Sequence, residues 1–216
     1  MTRIRRLSRL SKGCVALAAA VVATFVALPA AGVDARPRTE SAVLADEAAR
    51  SLEALDRWTT EHNPADYVRY LRGREATAAL TAEDLELDAE ALGAAWAAAP
   101  IEKQAALLAA LSQLGVPYER YESDPAIGFD CSGLTSWAYE RAGVELPRSS
   151  YYQIRAADRI EQEDAEPGDL LYYPGHIGMY LGEGSMIHSP NSGNNVEAIQ
   201  ISTKRSFRYG DPITED

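Results

Sequence analysis

The stretch Gly128–Ala142 reads GFDCSGLTSWAYERA and decides how the rest of the chain is understood. Leu134 and Ala138 follow Cys131 at i+3 and i+7, one face of a 3.6-residue period, and Gly143 supplies a stop. Asp130 is a good N-cap residue, which puts Cys131 in the first turn of a helix. There a thiol meets the positive end of the helix dipole and free N–H groups, and both favour the reactive thiolate. The remaining cysteine, Cys14, falls in a segment with the marks of a leader.

That leader reading covers residues 1–35. Arg3, Arg5, Arg6, Arg9 and Lys12 form a positive region, and Cys14–Leu28 is uncharged and apolar. Small residues at Ala30–Gly32 and Val33–Ala35 suit a signal peptidase, so a secretory signal is expected. The run is short for a membrane span, which makes an uncleaved anchor the lesser alternative. Arg5–Arg6 is a weak twin-arginine signal, and Cys14 precedes the apolar run, unlike a lipoprotein cysteine. Removing the leader takes five basic residues and one acid, so the formal charge moves from −11 to −15. So acidic a chain excludes nucleic acid as a natural partner and has no electrostatic hold on an anionic membrane. It also leaves Cys131 without an intramolecular disulfide partner, so the thiol is either buried or used.

Residues 36–100 read as a small all-helical segment. Val43, Leu44, Ala48, Leu52, Leu55 and Trp58 mark an amphipathic helix over Thr39–Thr60. Asn63–Pro64 opens a second through Leu71, and Thr81 with Asp84 predicts the start of a third that ends near Ala99–Pro100. About 60 residues make a marginal core, so this segment is expected to pack on residues 101–216. His62 lies at a helix boundary and reads as a surface residue. In residues 101–216, Ile101–Leu114 is again helical. Strands are predicted at Asp169–Tyr173, His176–Leu181, Ser185–Ser189 and Val196–Ile201, divided by Pro167–Gly168, Pro174–Gly175, Gly182–Gly184 and Pro190–Asn195. Helices succeeded by hairpin-linked strands give an α+β domain with an antiparallel sheet.

A nucleophilic thiol needs a base, and the base needs an orienting group. His176 and His188 on consecutive strands offer both, with His176 Nδ1 toward Cys131 and His188 fixing the tautomer. A structural cysteine with two ordinary histidines remains an equal reading of these residues alone. Cys131, His176 and His188 could in principle ligate zinc, but three scattered ligands lack the short paired spacing of a structural site. Pairing the histidines also constrains the hairpin between them. A regular two-residue turn at Glu183–Gly184 would set Met179 opposite His188 and put the histidines on opposite faces. Either a three-residue loop Gly182–Gly184 or another bulge in the same hairpin is therefore expected.

The motifs DCSGL at Cys131, LPRSSYYQ (Leu146–Gln153), PGDLLYY (Pro167–Tyr173), HIGMYLG (His176–Gly182) and MIHSP (Met186–Pro190) occur in that order. Together they resemble the NlpC-type family of bacterial cell-wall cysteine endopeptidases, over about Ile101–Ile201. The resemblance implies a papain-like α+β fold with the nucleophile at a helix start. It also implies a secreted or wall-associated enzyme without a cofactor or metal, and hydrolysis of peptidoglycan stem peptides, usually at a γ-D-glutamyl–diamino acid bond. By motif position Cys131 is similar to the nucleophile, His176 to the base and His188 to the third polar residue. Tyr118, Asp130, Ser132 and Ser150 match substrate-binding or oxyanion positions. Arg148 is either a substrate contact or an ion-pair partner; Asp130 and Ser132 also serve local capping. After Pro117–Tyr118 relatives continue with a tryptophan and a glycine pair, whereas this chain reads ERYESDPAI (Glu119–Ile127), so one wall of the cleft differs. A same-fold amidase or transferase, or a non-catalytic or metal-binding secreted module, is the alternative.

Overall fold

A computed structural model describes residues 40–213, and the leader expected at residues 1–35 lies outside them. Helices α1 (Glu40–Glu61) and α2 (Pro64–Leu85) pack side by side. Asn63 caps α2 by accepting from Ala65 N at 3.0 Å, and Pro64 takes the first helical position where its missing N–H is harmless. Gly73 lets the two helices close, because a Cβ there would stand 2.8 Å from Ser51 Oγ.

The helix start expected at Thr81 does not exist. Thr77 and Thr81 are buried inside α2, and their hydroxyls donate to Gly73 O at 2.7 Å and Thr77 O at 2.8 Å. With the hydroxyls used four residues back, no cap forms. The chain breaks instead at Glu86, which is left-handed (φ 55°), and Asp88 caps α3 (Ala89–Ala98) by accepting from Glu90 N and Ala91 N. Helix α4 (Ile101–Leu111) is buried from Lys103 onward, as befits a helix enclosed on all sides. Its residues share one hydrophobic core with Leu44, Leu52 and Tyr70 of α1 and α2 and with Leu134, Ile177 and Ile187 further on.

A two-stranded ribbon, β1 (Ser123–Asp124) with β2 (Gly128–Phe129), leads into α5 (Cys131–Arg141) and α6 (Ser150–Ala156). The main sheet runs β3-β8-β4-β5-β6-β7 and every neighbouring pair is antiparallel. Its strands are β3 (Asp158–Ile160), β4 (Leu170–Tyr173), β5 (His176–Gly182), β6 (Ser185–His188), β7 (Glu197–Gln200) and β8 (Arg208–Asp211). Strands β4 to β7 lie where the alternation placed them, while β3 and β8 are too short and polar to show one. Leu170, Ile177, Met179, Leu181 and Ile187 join the helical core; Leu171, Met186 and Tyr209 form a second cluster with Tyr180 and Phe207.

The β5–β6 hairpin carries the shifted register. Glu183 (φ 48°) and Gly184 (φ 69°) make a two-residue turn with both residues left-handed. Gly182 pairs with Ser185, but the next pairs are Tyr180 with Met186 and Met179 with Ile187, so Leu181 is the extra residue of a bulge. The device is the bulge rather than the three-residue loop. Continuing the register sets His188 beside Gly178, on the face that His176 shares. The bulge is held from outside the sheet: the buried Trp96 of α3 donates its indole N–H to Leu181 O at 2.6 Å, and Leu92 packs on Gly182.

At the opposite end of β4 lies a buried ionic cluster. Lys103 Nζ is 2.7 Å from Asp169 Oδ1, 3.0 Å from Asp211 Oδ2 and 3.3 Å from Glu166 Oε2. Gly168, left-handed at φ 105°, passes so close that a Cβ would be 2.6 Å from Lys103 Cβ, which accounts for the Pro167–Gly168–Asp169 turn. Burial works against the ammonium, yet the carboxylates of Asp169 and Asp211 outweigh it and leave its pKa raised.

Candidate active site

Asp130 builds the start of α5. Its Oδ1 accepts from Gly133 N at 2.6 Å and from Ser132 Oγ at 3.2 Å, and its Oδ2 accepts from Tyr121 N at 3.0 Å. Arg148 grips both carboxylate oxygens, Nη1 at 2.8 Å and Nη2 at 2.9 Å, and also donates to Glu122 O and Ser132 Oγ, each at 3.0 Å. Arg148 is thus an ion-pair partner of Asp130, a forked brace that ties the 119–124 loop to the helix start. Gly133 is required there, since a Cβ would lie 2.0 Å from Glu122 O.

The brace presents Cys131, which is half-buried and free. Burial raises its pKa; the backbone N–H of Ile177, the residue after His176, and those of Ser132 and Cys131 itself pull the other way, while Asp130 adds to the rise. Desolvation therefore outweighs the helix-start effect expected from the sequence, and the resting group is the thiol. Tyr118 bridges to Phe129, and its phenol is close enough to Cys131 and Asp130 that both add to a pKa raised chiefly by burial. Around residue 129 three segments meet: Phe129 N donates to Pro117 O, and Phe129 O accepts from Glu119 N at 3.1 Å and Ser189 Oγ at 2.6 Å. Ser150 opens α6, and among the described residues no hydrogen bond joins its side chain to the other candidates. His62 is exposed at a helix end, as expected.

His176 and His188 meet directly. Nε2 of His176 is 2.7 Å from Nδ1 of His188, with the rings perpendicular and both residues at least nine-tenths buried. Gly178 makes the space, because a Cβ there would come within 2.3 Å of Met186 Cε and 3.1 Å of His188 Cβ. Burial lowers the pKa of His176 to about 4, with further lowering from His188 and Arg205, so near neutral pH it is an uncharged imidazole.

The residue that sequence reading missed is Glu197. It pairs across the strands with His188, and its Oε1 stands 3.4 Å from the buried Nε2, which makes no aligned hydrogen bond among the described residues. A carboxylate accepts and never donates, so its charge favours the His188 tautomer protonated at Nε2. In that tautomer Nδ1 of His188 accepts from Nε2–H of His176 and leaves His176 a lone pair on Nδ1. The long loop between β6 and β7 hides this pairing from any local sequence rule.

Comparison with known proteins gives the family. The sequence profile of the NlpC/P60 family matches residues 115–209. A probable endopeptidase of Corynebacterium glutamicum (strain R) is 35% identical over 178 residues, which cover 80% of this chain and 84% of that protein. The bifunctional muramidase/DL-endopeptidase CwlT of Bacillus subtilis (strain 168) is 38% identical over 112 residues, 48% of this chain and 32% of that longer protein. Among solved structures, a P60 domain of an antigen from M. avium subspecies paratuberculosis is 30% identical, covering 53% of this chain and 97% of that one, with a TM-score of 0.48. The chain belongs to the NlpC/P60 family.

Proposed function

We propose that the chain is a secreted or wall-associated cysteine endopeptidase that hydrolyses peptidoglycan stem peptides at a γ-D-glutamyl–diamino acid bond. The observation that carries this reading is the hydrogen bond between His188 and His176, the latter on the strand whose Ile177 N–H reaches the Cys131 thiol. The family resemblance and the DL-endopeptidase among the relatives support the bond assigned.

The reaction begins from two neutral groups. As Sγ of Cys131 attacks the scissile carbonyl carbon, Nδ1 of His176 takes the thiol proton. The imidazolium so formed is stabilised through His188, whose far side faces Glu197. The tetrahedral oxyanion develops at the start of α5, where the backbone N–H groups of Cys131 and Ser132 and the helix dipole favour negative charge. His176 then passes its proton to the leaving amine, the carbon–nitrogen bond breaks, and an acyl-thioester remains. Water, deprotonated by His176, attacks the thioester and restores the thiol.

The test is incubation of the chain lacking residues 1–35 with purified peptidoglycan, then mass spectrometry of the released fragments. Fragments cut after D-glutamate are expected, and Cys131→Ala should release none while melting at the same temperature. Identical fragments from Cys131→Ala, or cleavage at the sugar–peptide junction, would overturn the reading.

A further inference from the structure

Beyond the histidine pair lies a cavity of about 400 Å³ whose walls include Tyr173, Met186, His188, Lys204, Arg205 and Phe207. Arg205 holds its guanidinium 4.0 Å from the centroid of the Tyr173 ring, and that ring lies 4.9 Å from the ring of His176 and 5.6 Å from Phe207. The cation is thus set on a stack that ends on the imidazole. Among the described residues neither Lys204 nor Arg205 has a carboxylate within ion-pair distance, although the chain holds 32 acidic residues against 21 basic ones. Two cations without a carboxylate partner thus share a cavity with apolar walls from Met186, Ile199 and Phe207. That combination fits a ligand with an aliphatic stem and an anionic end.

The chemistry says which half of a substrate would lie there. An imidazole that hands its proton to the leaving amine must stand beside the leaving half; that imidazole is His176, and the cavity borders it through its two ring neighbours, His188 and Tyr173. The leaving half of a γ-D-glutamyl–diamino acid bond is the diamino residue, in which a methylene chain can carry a side-chain carboxylate. Resting on the endopeptidase reading above, we propose that this cavity is the leaving-side subsite and that Lys204 and Arg205 bind the side-chain carboxylate of a diaminodicarboxylic acid residue. The two cations then make the enzyme selective for stem peptides in which that carboxylate is free over those in which it is amidated.

The experiment uses two synthetic stem peptides that differ only in a free or amidated side-chain carboxylate. With the chain lacking residues 1–35, the free form should show a KM lower by about tenfold, the size of one charge-assisted contact. In the double variant Lys204→Gln/Arg205→Gln the ratio of the two kcat/KM values should fall toward one. Taking the ratio cancels the effect that Arg205 exerts on His176, which acts on both substrates alike. Equal KM values in the wild type, or a preference that survives the double variant, would overturn the proposal. Calorimetry with Cys131→Ala, which binds without turnover, repeats the comparison independently of the bond cut. If neither peptide were hydrolysed yet the free form still bound about tenfold tighter, the subsite would stand and the endopeptidase reading would fall. Equal binding of both would sink the subsite alone.

Discussion

Two buried polar clusters occupy opposite ends of strand β4, and they resolve the same difficulty in opposite ways. At one end Lys103 is enclosed with Asp169 and Asp211 at 2.7 and 3.0 Å, so the buried cation has counter-charges in direct contact. At the other end His176 and His188 are buried almost as deeply, but the nearest carboxylate, Glu197, is half exposed and the nearest cation, Arg205, opposes protonation. Compensated burial fixes charges in place and joins α4 to β4 and β8. Uncompensated burial keeps an imidazole neutral and ready to accept a proton. The depth is similar; the counter-charge decides whether a cluster locks or reacts.

The largest effect should come from breaking the compensated cluster. Lys103→Met leaves the buried Asp169 and the partly buried Asp211 without a cation and should lower unfolding free energy by about 3–5 kcal/mol, read by urea denaturation at pH 7. A loss under about 1 kcal/mol would mean the cluster is not a lock. The uncompensated cluster should show itself through pH. Because the folded pKa of His176 is lowered to about 4 from the usual 6.5, the unfolded chain binds more protons between those values. The stability contributed is full above pH 6.5 and is lost as pH falls toward 4, roughly 3 kcal/mol in all. Melting curves should therefore drop over that window in the wild type and less so in His176→Asn; parallel curves would contradict the assigned state of His176. The smallest effect belongs to Glu197→Gln, which keeps an acceptor near His188 but removes its charge. The expected result is a fall in kcat of about tenfold or less with KM unchanged. A shift in the His188 ring nitrogen resonances should accompany it. Unmoved resonances would show that Glu197 does not select the tautomer.

Much of the fold was open to reading from local pattern. Alternation placed β4 to β7, the Asp130 cap formed as its residue type suggested, and the same-face requirement on His176 and His188 called for the irregular hairpin that the Leu181 bulge supplies. What escaped was set by distant partners. Thr81 has the residue type of a cap, but burial against neighbouring helices keeps α2 running through it. Strand β8 is four residues with little apolar character, held because Gly210 and Tyr209 fit between β3 and β4. The placement of Lys103 beside Asp169 and Asp211, the brace of Arg148 on Asp130, and the pairing of Glu197 with His188 all join residues whose separation in sequence carries no spacing rule.

The contact between Trp96 and Leu181 spans 85 residues, and its consequence reaches beyond the hairpin it braces. The buried indole gives the carbonyl of Leu181 its donor, and that carbonyl belongs to the extra residue of the bulge. Without α3 the carbonyl would lose its partner, and the bulged pairing would lose that advantage over the straight one that parts the histidines. The amino-terminal helices thus share in setting which face His188 occupies, and a truncation far upstream would be felt at the histidine pair.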